Sequence, residues 1–439
     1  MPRLLYQGDW KSVHDPISRY LNRRALLERW PLRGAAPDCV RQAVVIPAVA
    51  EHPGLFDTLS DLDAAPPACR ARTLIVVVVN NRPPPHAAPE TIENNRVTLD
   101  RLRESHGVAW IDAASPGCEL PPKDGVGLAR KLGLDAALRE LHRRGLADAP
   151  LVCLDADTRT DPHYLESIAE FFAAPKCWAA VLDYAHPLDG PAEARAAITA
   201  YECYLRCHEL ALAWAGSPYA FCALGSAIAC TARAYAAVSG MNRRIAGEDF
   251  YFLQQLAKTG PVERIVTTTV RPAARASGRT PFGTGPRMAQ SANGEAVSRF
   301  VHHPHAYAVL RAWFDIVARH AGASVETLLD AASKVDVALA AFLERDRFAV
   351  VWGKLQAQHR NAPRLLQQFH AWFDGLRSIR LLHYLRDHGY PDQDLADAVP
   401  EYIALGVFPA PPENPEDGQD LLRYLRECCR RLPPTGKRG

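Results

Sequence analysis

No two cysteines in this chain are spaced as C-x-x-C, the pattern that marks zinc ribbons and redox-active dithiols, although eleven cysteines are scattered over its 439 residues. Cys428-Cys429 is adjacent and reads as two ordinary thiols on a C-terminal helix. Such usage fits a reducing compartment. The first residues also lack the basic-then-apolar order of a secretory signal. Neither sign of charge is in excess: the formal net charge is +2, which gives no reason to expect nucleic acid, and the sequence supplies neither a basic patch nor a recognisable nucleic-acid-binding module. Long apolar runs are few. Leu210 to Ala232 carries no charged residue, but Gly216-Ser217-Pro218 interrupts it and much of the rest is Ala, Cys, Gly and Ser, which insert poorly into lipid. A buried core segment around an active site is expected there, with no transmembrane segment. The expected location is the cytoplasm, free or peripheral to the inner face of the membrane. The chain shows no internal repeat.

The length allows two or three domains. Residues 1–40 read as an N-terminal extension with a short helix around Ile17 to Trp30. Apolar runs at Ala43 to Pro47, Thr73 to Val79, Val108 to Asp112 and Leu151 to Leu154 read as buried strands. Helical patterns lie between them at Leu55 to Leu62 and, through Leu128, Leu132, Leu134 and Leu138, at Val126 to Arg143. This alternation predicts a largely parallel α/β sheet covered on both faces over residues 41–290. Beyond residue 290 the patterns are helical, at Ala306 to His320, Val325 to Leu343, Ala362 to Asp387 and Leu421 to Leu432, giving a helical C-terminal region over 291–439.

Ligands of such sheets bind beyond the carboxyl ends of the strands. Glu51, Asn80 and Asp155 all fall there. Asp155-Ala156-Asp157 places two carboxylates one residue apart at a strand end, and their hard oxygens suit Mg²⁺ or Mn²⁺ held together with substrate phosphates. The competing reading is a helix cap ahead of Asp161-Pro162.

Val44-Val45-Ile46-Pro47 followed by Glu51, Leu74 to Asn81, Gly125-Val126-Gly127-Leu128-Ala129-Arg130-Lys131-Leu132-Gly133, Asp155-Ala156-Asp157, Ala223-Leu224-Gly225-Ser226 leading to Arg233 and Gly240, and Gly247-Glu248-Asp249 occur in that order. In this the chain resembles family-2 glycosyltransferases over residues 41 to 285. The resemblance implies a GT-A fold with a Rossmann-like mixed sheet, a nucleotide-diphospho-sugar donor (a UDP- or GDP-sugar) and Mn²⁺ or Mg²⁺. It departs from the family at Ala50, where Asn is usual, and at Asn80, where an acidic residue is common; both positions contact the nucleoside in the family.

By that resemblance Asp157 is the direct metal ligand, Asp155 serves the metal, its water or the ribose, and His303, in the cluster with His302 and His305, is a candidate third ligand. Asp249 is the general base of an inverting transfer, with Glu248 beside it. Pro47, Glu51 and Asn80 belong to the donor pocket. Lys123, Arg130, Arg275 and Arg279 are candidates for the diphosphate, the last two on a loop around Gly278 to Gly285 that also has Arg271 and Arg287 at its flanks, because guanidinium groups bind phosphate bidentately. Arg130 can equally pair with a carboxylate. The acceptor is an unidentified carbohydrate, lipid-linked or small-molecule hydroxyl. A retaining transferase, a nucleotidyltransferase and a degenerate, non-catalytic scaffold are the alternatives. For a nucleotidyltransferase, Pro47 to Gly54 lacks the expected glycine- and lysine-rich signature.

Overall fold

The computed structural model describes residues 15–175, 177–275, 284–292, 300–413 and 415–433. They form two compact units. Among the described residues, the first comprises the chain up to Pro187 together with Ala223–Ala273, and the second comprises Leu188–Cys222 together with the chain beyond Ala273.

The first unit is built on an eight-stranded sheet: β1 Gln42–Ala48, β2 Thr73–Asn80, β3 Ala109–Ala113, β4 Pro150–Cys153, β5 Thr158–Thr160, β6 Ala179–Tyr184, β7 Ile228–Thr231 and β8 Val262–Pro272. Their order is β3-β2-β1-β4-β7-β6-β8-β5. Every residue of β1 and β2 is buried, which is why both strands are continuous apolar runs without alternation. The chain moves outward from β1 through β2 to β3 and then returns to place β4 on the other side of β1. That reversal opens a crevice at the carboxyl ends of β1 and β4.

The sheet is mixed where the strand patterns predict a largely parallel one. β7 runs antiparallel to β4 and β6, and β5 antiparallel to β8. The four-residue β7 lies inside the uncharged Ala- and Cys-rich stretch and has no period of its own, so nothing in the sequence distinguishes it from other buried chain. This α/β mixed-sheet unit, with a helical region toward the C-terminus, is the fold class that the glycosyltransferase resemblance implies.

The helix Val126–Arg143 packs on β1 and β2, and its glycines set how closely. A Cβ at Gly133 would collide with Val45 Cγ1 and lie 2.9 Å from Val78 Cγ2. Asp135 on the same helix is fully buried and takes hydroxyls from Tyr20 (2.6 Å) and Tyr235 (2.8 Å), the amide of Leu26 (3.1 Å) and the ammonium of Lys131 (2.9 Å). Tyr20 and Leu26 thereby fasten the segment before β1 to this helix.

Among the described residues the second unit is helical, with a two-residue ribbon, β9 Phe300–Val301 against β10 Gln393–Asp394. Two of the four helical patterns read from the sequence, Val325 to Leu343 and Ala362 to Asp387, are each cut once. Asp336 closes the helix Val325–Val335 and caps Val337–Arg345 by accepting from the amide of Ala338 at 2.6 Å, and Asp374 caps Gly375–Asp387 after Ala362–Trp372. An aspartate that can satisfy orphan amides favours a new helix start over continuation. Trp313, Phe314, Phe348, Phe369 and Phe373 form the centre of this core. Buried Glu202 holds Arg426 through two bonds of 2.8 Å and so ties the helix Gly418–Arg430 to Ala192–Trp214. Among the described residues no helix is long and apolar enough to cross a membrane.

Gly133→Ala is expected to cost about 1–3 kcal/mol through overpacking against Val45 and Val78. Urea unfolding of the variant beside the parent checks this; an unchanged midpoint would mean that the helix can move off the sheet without penalty.

Candidate functional site

Arg130 lies in the second turn of the helix Val126–Arg143, is 3% exposed, and joins the two carboxylate motifs. Its Nη2 donates to Asp155 Oδ1 at 2.5 Å, its Nε to Glu248 Oε1 at 3.1 Å and its Nη1 to the carbonyl of Gly225 at 2.9 Å. Burial opposes its charge, but Asp155 and Glu248 outweigh that and hold its pKa above the ordinary value. Glycine is required at position 225 because a Cβ there would run into the guanidinium. Asp155 is engaged on both oxygens, since Ser226 Oγ donates to Oδ2 at 2.7 Å and receives in turn from Thr158 Oγ1 at 3.0 Å. The sheet delivers Asp155 to this point: the amide of Leu154 donates to the carbonyl of Val45 at 3.0 Å, so β4 stays registered on β1 up to the residue before it. Behind it, burial pushes the Cys153 thiol up to about 12 and keeps it protonated.

Glu248 and Asp249 open the helix Glu248–Thr259, entered through Gly247 in the left-handed region at φ 71°. The turn before it is tied to the glycine-rich helix start, because the amide of Gly127 donates to the carbonyl of Arg244 at 3.2 Å, and Asn242 Nδ2 donates to the carbonyl of Glu248 at 2.8 Å. Burial raises the pKa of Glu248, against the pull of Arg130. Asp249 is pushed up to about 7, first by burial and then by the charge of Glu248. A carboxyl poised near neutrality suits proton transfer.

Asp157 is half-buried in the turn between β4 and β5. Pro47 is buried in β1 and Glu51 is buried just beyond it. Asn80 ends β2, and with its amide nitrogen assigned to the side that faces acceptors it donates to the carbonyls of Ala48 and Val78, each at 3.3 Å. Ala50 holds φ 52°, a region disfavoured for a residue with a Cβ, and its amide donates to Asn95 Oδ1 at 2.9 Å. Asn95 Nδ2 donates onward to the carbonyl of Asn80 at 3.0 Å, so one side chain clamps the ends of β1 and β2. Lys123 is exposed at the entry to the glycine-rich helix.

The other predicted residues belong to the second unit or lie outside the described residues. Arg275 is exposed and belongs to the second unit, while Arg279 and most of its loop lie outside the described residues. His303 is also in the second unit, where its Nδ1 accepts from the amide of His305 at 3.2 Å to cap the helix Pro304–Arg319. With His305 and Glu401 it forms a cluster whose candidate ligand atoms lie within 4.8 Å of one another. Sequence reasoning placed Gly225 and Ser226 in an ordered motif but foresaw neither the bond from Arg130 to the Gly225 carbonyl nor that from Ser226 to Asp155, and it gave Asn95 no role. An asparagine in mid-helix carries no local pattern, and only the fold brings it to the strand ends.

No family model matches this chain, and no curated protein matches it. Solved structures similar to it include S. aureus TarS in complex with UDP-GlcNAc, at 11% identity over 71% of this chain and 88% of that one with a TM-score of 0.39. They also include the mannosyltransferase PcManGT from Pyrobaculum calidifontis in complex with GDP-Man and Mn²⁺, at 14% identity over 82% and 93% with a TM-score of 0.34. GalNAc-T7 with UDP, GalNAc and Mn²⁺ is similar at 13% identity over 59% of this chain and 48% of its own, with a TM-score of 0.35. These are likenesses of fold class, and at such scores they carry nothing about substrate or mechanism.

Proposed function

We propose that this chain is a metal-dependent glycosyltransferase that moves a sugar from a nucleotide-diphospho-sugar, a UDP- or GDP-sugar, to an acceptor hydroxyl with inversion. The observation that carries the reading is the buried Arg130 bridge, which couples the Asp155 strand end to the Glu248-Asp249 helix start at the point where the sheet reverses direction. The ordered motifs that resemble family-2 glycosyltransferases supply the chemistry for that geometry. The half-buried Asp249, its proton affinity raised beside Glu248, supports an enzyme over a scaffold without activity.

In this reading Asp157 is the carboxylate that would bind Mn²⁺ or Mg²⁺ directly, as the resemblance to family-2 glycosyltransferases implies, while the oxygens of Asp155 are held by Arg130 and Ser226. Asp155 is left to orient the ribose. The bound ion supplies charge neutralisation on the leaving diphosphate. Arg130, enclosed by its three partners, positions the two motifs and does not contact phosphate. Lys123, Arg275 and Arg279 are the cationic groups assigned to the diphosphate, and Pro47, Glu51 and Asn80 to the nucleoside. Asp249 takes the proton of the acceptor hydroxyl as the acceptor oxygen bonds to the anomeric carbon. The bond from that carbon to the diphosphate breaks, and the nucleoside diphosphate leaves with the electron pair. Glu248, fixed by Arg130, keeps a negative charge beside Asp249 and so keeps it basic enough for the task. The eleven cysteines are all free thiols, in keeping with the cytoplasm as the place of action.

Asp157→Ala is expected to abolish Mn²⁺-dependent donor binding, measured by thermal shift across a panel of UDP- and GDP-sugars. Equal donor affinity in parent and variant, with and without Mn²⁺, would remove Asp157 from the metal site. Asp249→Asn is expected to bind donor yet lose transfer by about 10²–10⁴-fold; full activity would eliminate it as the base.

The pH dependence of the two properties runs in opposite senses. The parent's transfer rate should fall as pH drops below about 7, because the base must be unprotonated. The native Asp249 has a pKa raised from 3.8 to about 7, so the native state binds its proton more tightly than the unfolded chain does. The stability this contributes is present at low pH and lost as pH rises through 7. Asp249→Asn should therefore be more stabilising at pH 8 than at pH 5, by on the order of 1–3 kcal/mol. Denaturant unfolding at the two pH values gives the difference, and equal effects at both would contradict the raised pKa.

A further inference from the structure

The second unit contains a cleft of about 410 Å³ lined by Tyr204, Arg287, Phe300, His302, His383, Arg386 and Asp392. Its volume is within the range of small-molecule sites and far exceeds what a simple ion needs. Its inner wall is fixed. His302 is buried and its Nδ1 lies 2.8 Å from Asp392 Oδ1, while its ring packs edge-on against Tyr204 at 5.9 Å and His383 at 5.5 Å. Asp392, the single carboxylate in the lining, is thus already engaged.

The two guanidinium groups are less committed. Arg386 donates from Nε to Asp387 at 2.8 Å, but that carboxylate is 57% exposed, and a pair so open to water adds little. Arg287 makes a long contact of 3.4 Å from Nη1 to Gln290. Among the described lining residues, two permanent positive charges therefore face one carboxylate that is held by histidine, and the cleft favours an anion. Guanidinium forks match phosphate geometry. Phe300, 50% exposed, and Tyr204 add aromatic faces that an inorganic ion would leave unused.

We propose that this cleft binds a small phosphate ester, with Arg287 and Arg386 recognising the phosphate and Tyr204 and Phe300 receiving the ring of its organic part. The site is made from the second unit alone and stands independently of the transferase reading of the first.

Isothermal titration of the full chain in EDTA, which strips any divalent ion, with glucose 6-phosphate, phenyl phosphate, inorganic phosphate and glucose tests this. At least one of the two esters is expected to bind saturably and more tightly than inorganic phosphate, and glucose not at all. Arg287→Gln and Arg386→Gln should each weaken the ester by about tenfold, with melting temperatures near the parent's because both residues lie on an open cleft. Arg386→Lys, which keeps the charge and loses the fork, should fall between parent and Gln variant, and it serves as the test if a Gln variant does not fold. Asp157→Ala should bind the ester as the parent does, even if its donor binding is lost. Absence of saturable heat with both esters, parent-like binding by the Arg287→Gln/Arg386→Gln double variant, or loss of ester binding in Asp157→Ala would each overturn the proposal, the last by assigning the ester to the first unit.

Discussion

A guanidinium sealed from water is tolerable only while its charge and its donors are all met, and the first unit is arranged around meeting them for Arg130. Asp155 comes from the end of β4, Glu248 from a helix start, and the Gly225 carbonyl from the chain just ahead of β7. Removing either carboxylate would leave Arg130 a single anionic partner and one buried donor unmet, which typically costs about 1–3 kcal/mol. Lysine offers a point charge in place of a planar fork and would not reproduce three bonds in these directions. Asp155 and Glu248, distant in sequence, are therefore fixed together by one side chain.

The same arrangement keeps negative charge where it is unfavourable. Glu248 and Asp249 are neighbours in sequence at one helix start, and the positive end of the helix and Arg130 offset only part of their burial. Local instability of this kind is tolerated where it sets a proton affinity that a solvated aspartate would lack. Asn95 performs a quieter version of the task at the other strand ends, satisfying the Ala50 amide in a strained backbone position and the carbonyl that ends β2.

The parts of the fold that were legible in the sequence are those with a one-dimensional signal. The runs at Val44 and Ile75 announce central strands because both faces are covered, and Val126 to Arg143 was readable as a helix to the residue from its leucine spacing. The antiparallel half of the sheet was not readable, since four-residue β7 has neither length nor period. Helix breaks at Asp336 and Asp374 were missed because apolar spacing resumes on the far side of each. At the site, Asp155, Asp157, Glu248 and Asp249 were visible as motifs. That Arg130 would join two of them, and that Ser226 would occupy the remaining oxygen of Asp155, depends on how β4, β7 and two helices pack, which no local pattern encodes.

Asp135 lies one turn along the helix from Arg130, and half of its partners come from chain that precedes the sheet. The hydroxyl of Tyr20 and the amide of Leu26 therefore brace the helix that carries the bridging arginine, although neither approaches the carboxylates themselves. A shortened chain beginning at β1 would still contain every motif of the site, yet it would leave a buried aspartate short of two donors directly behind it. In this protein the leading segment is part of the foundation under Arg130.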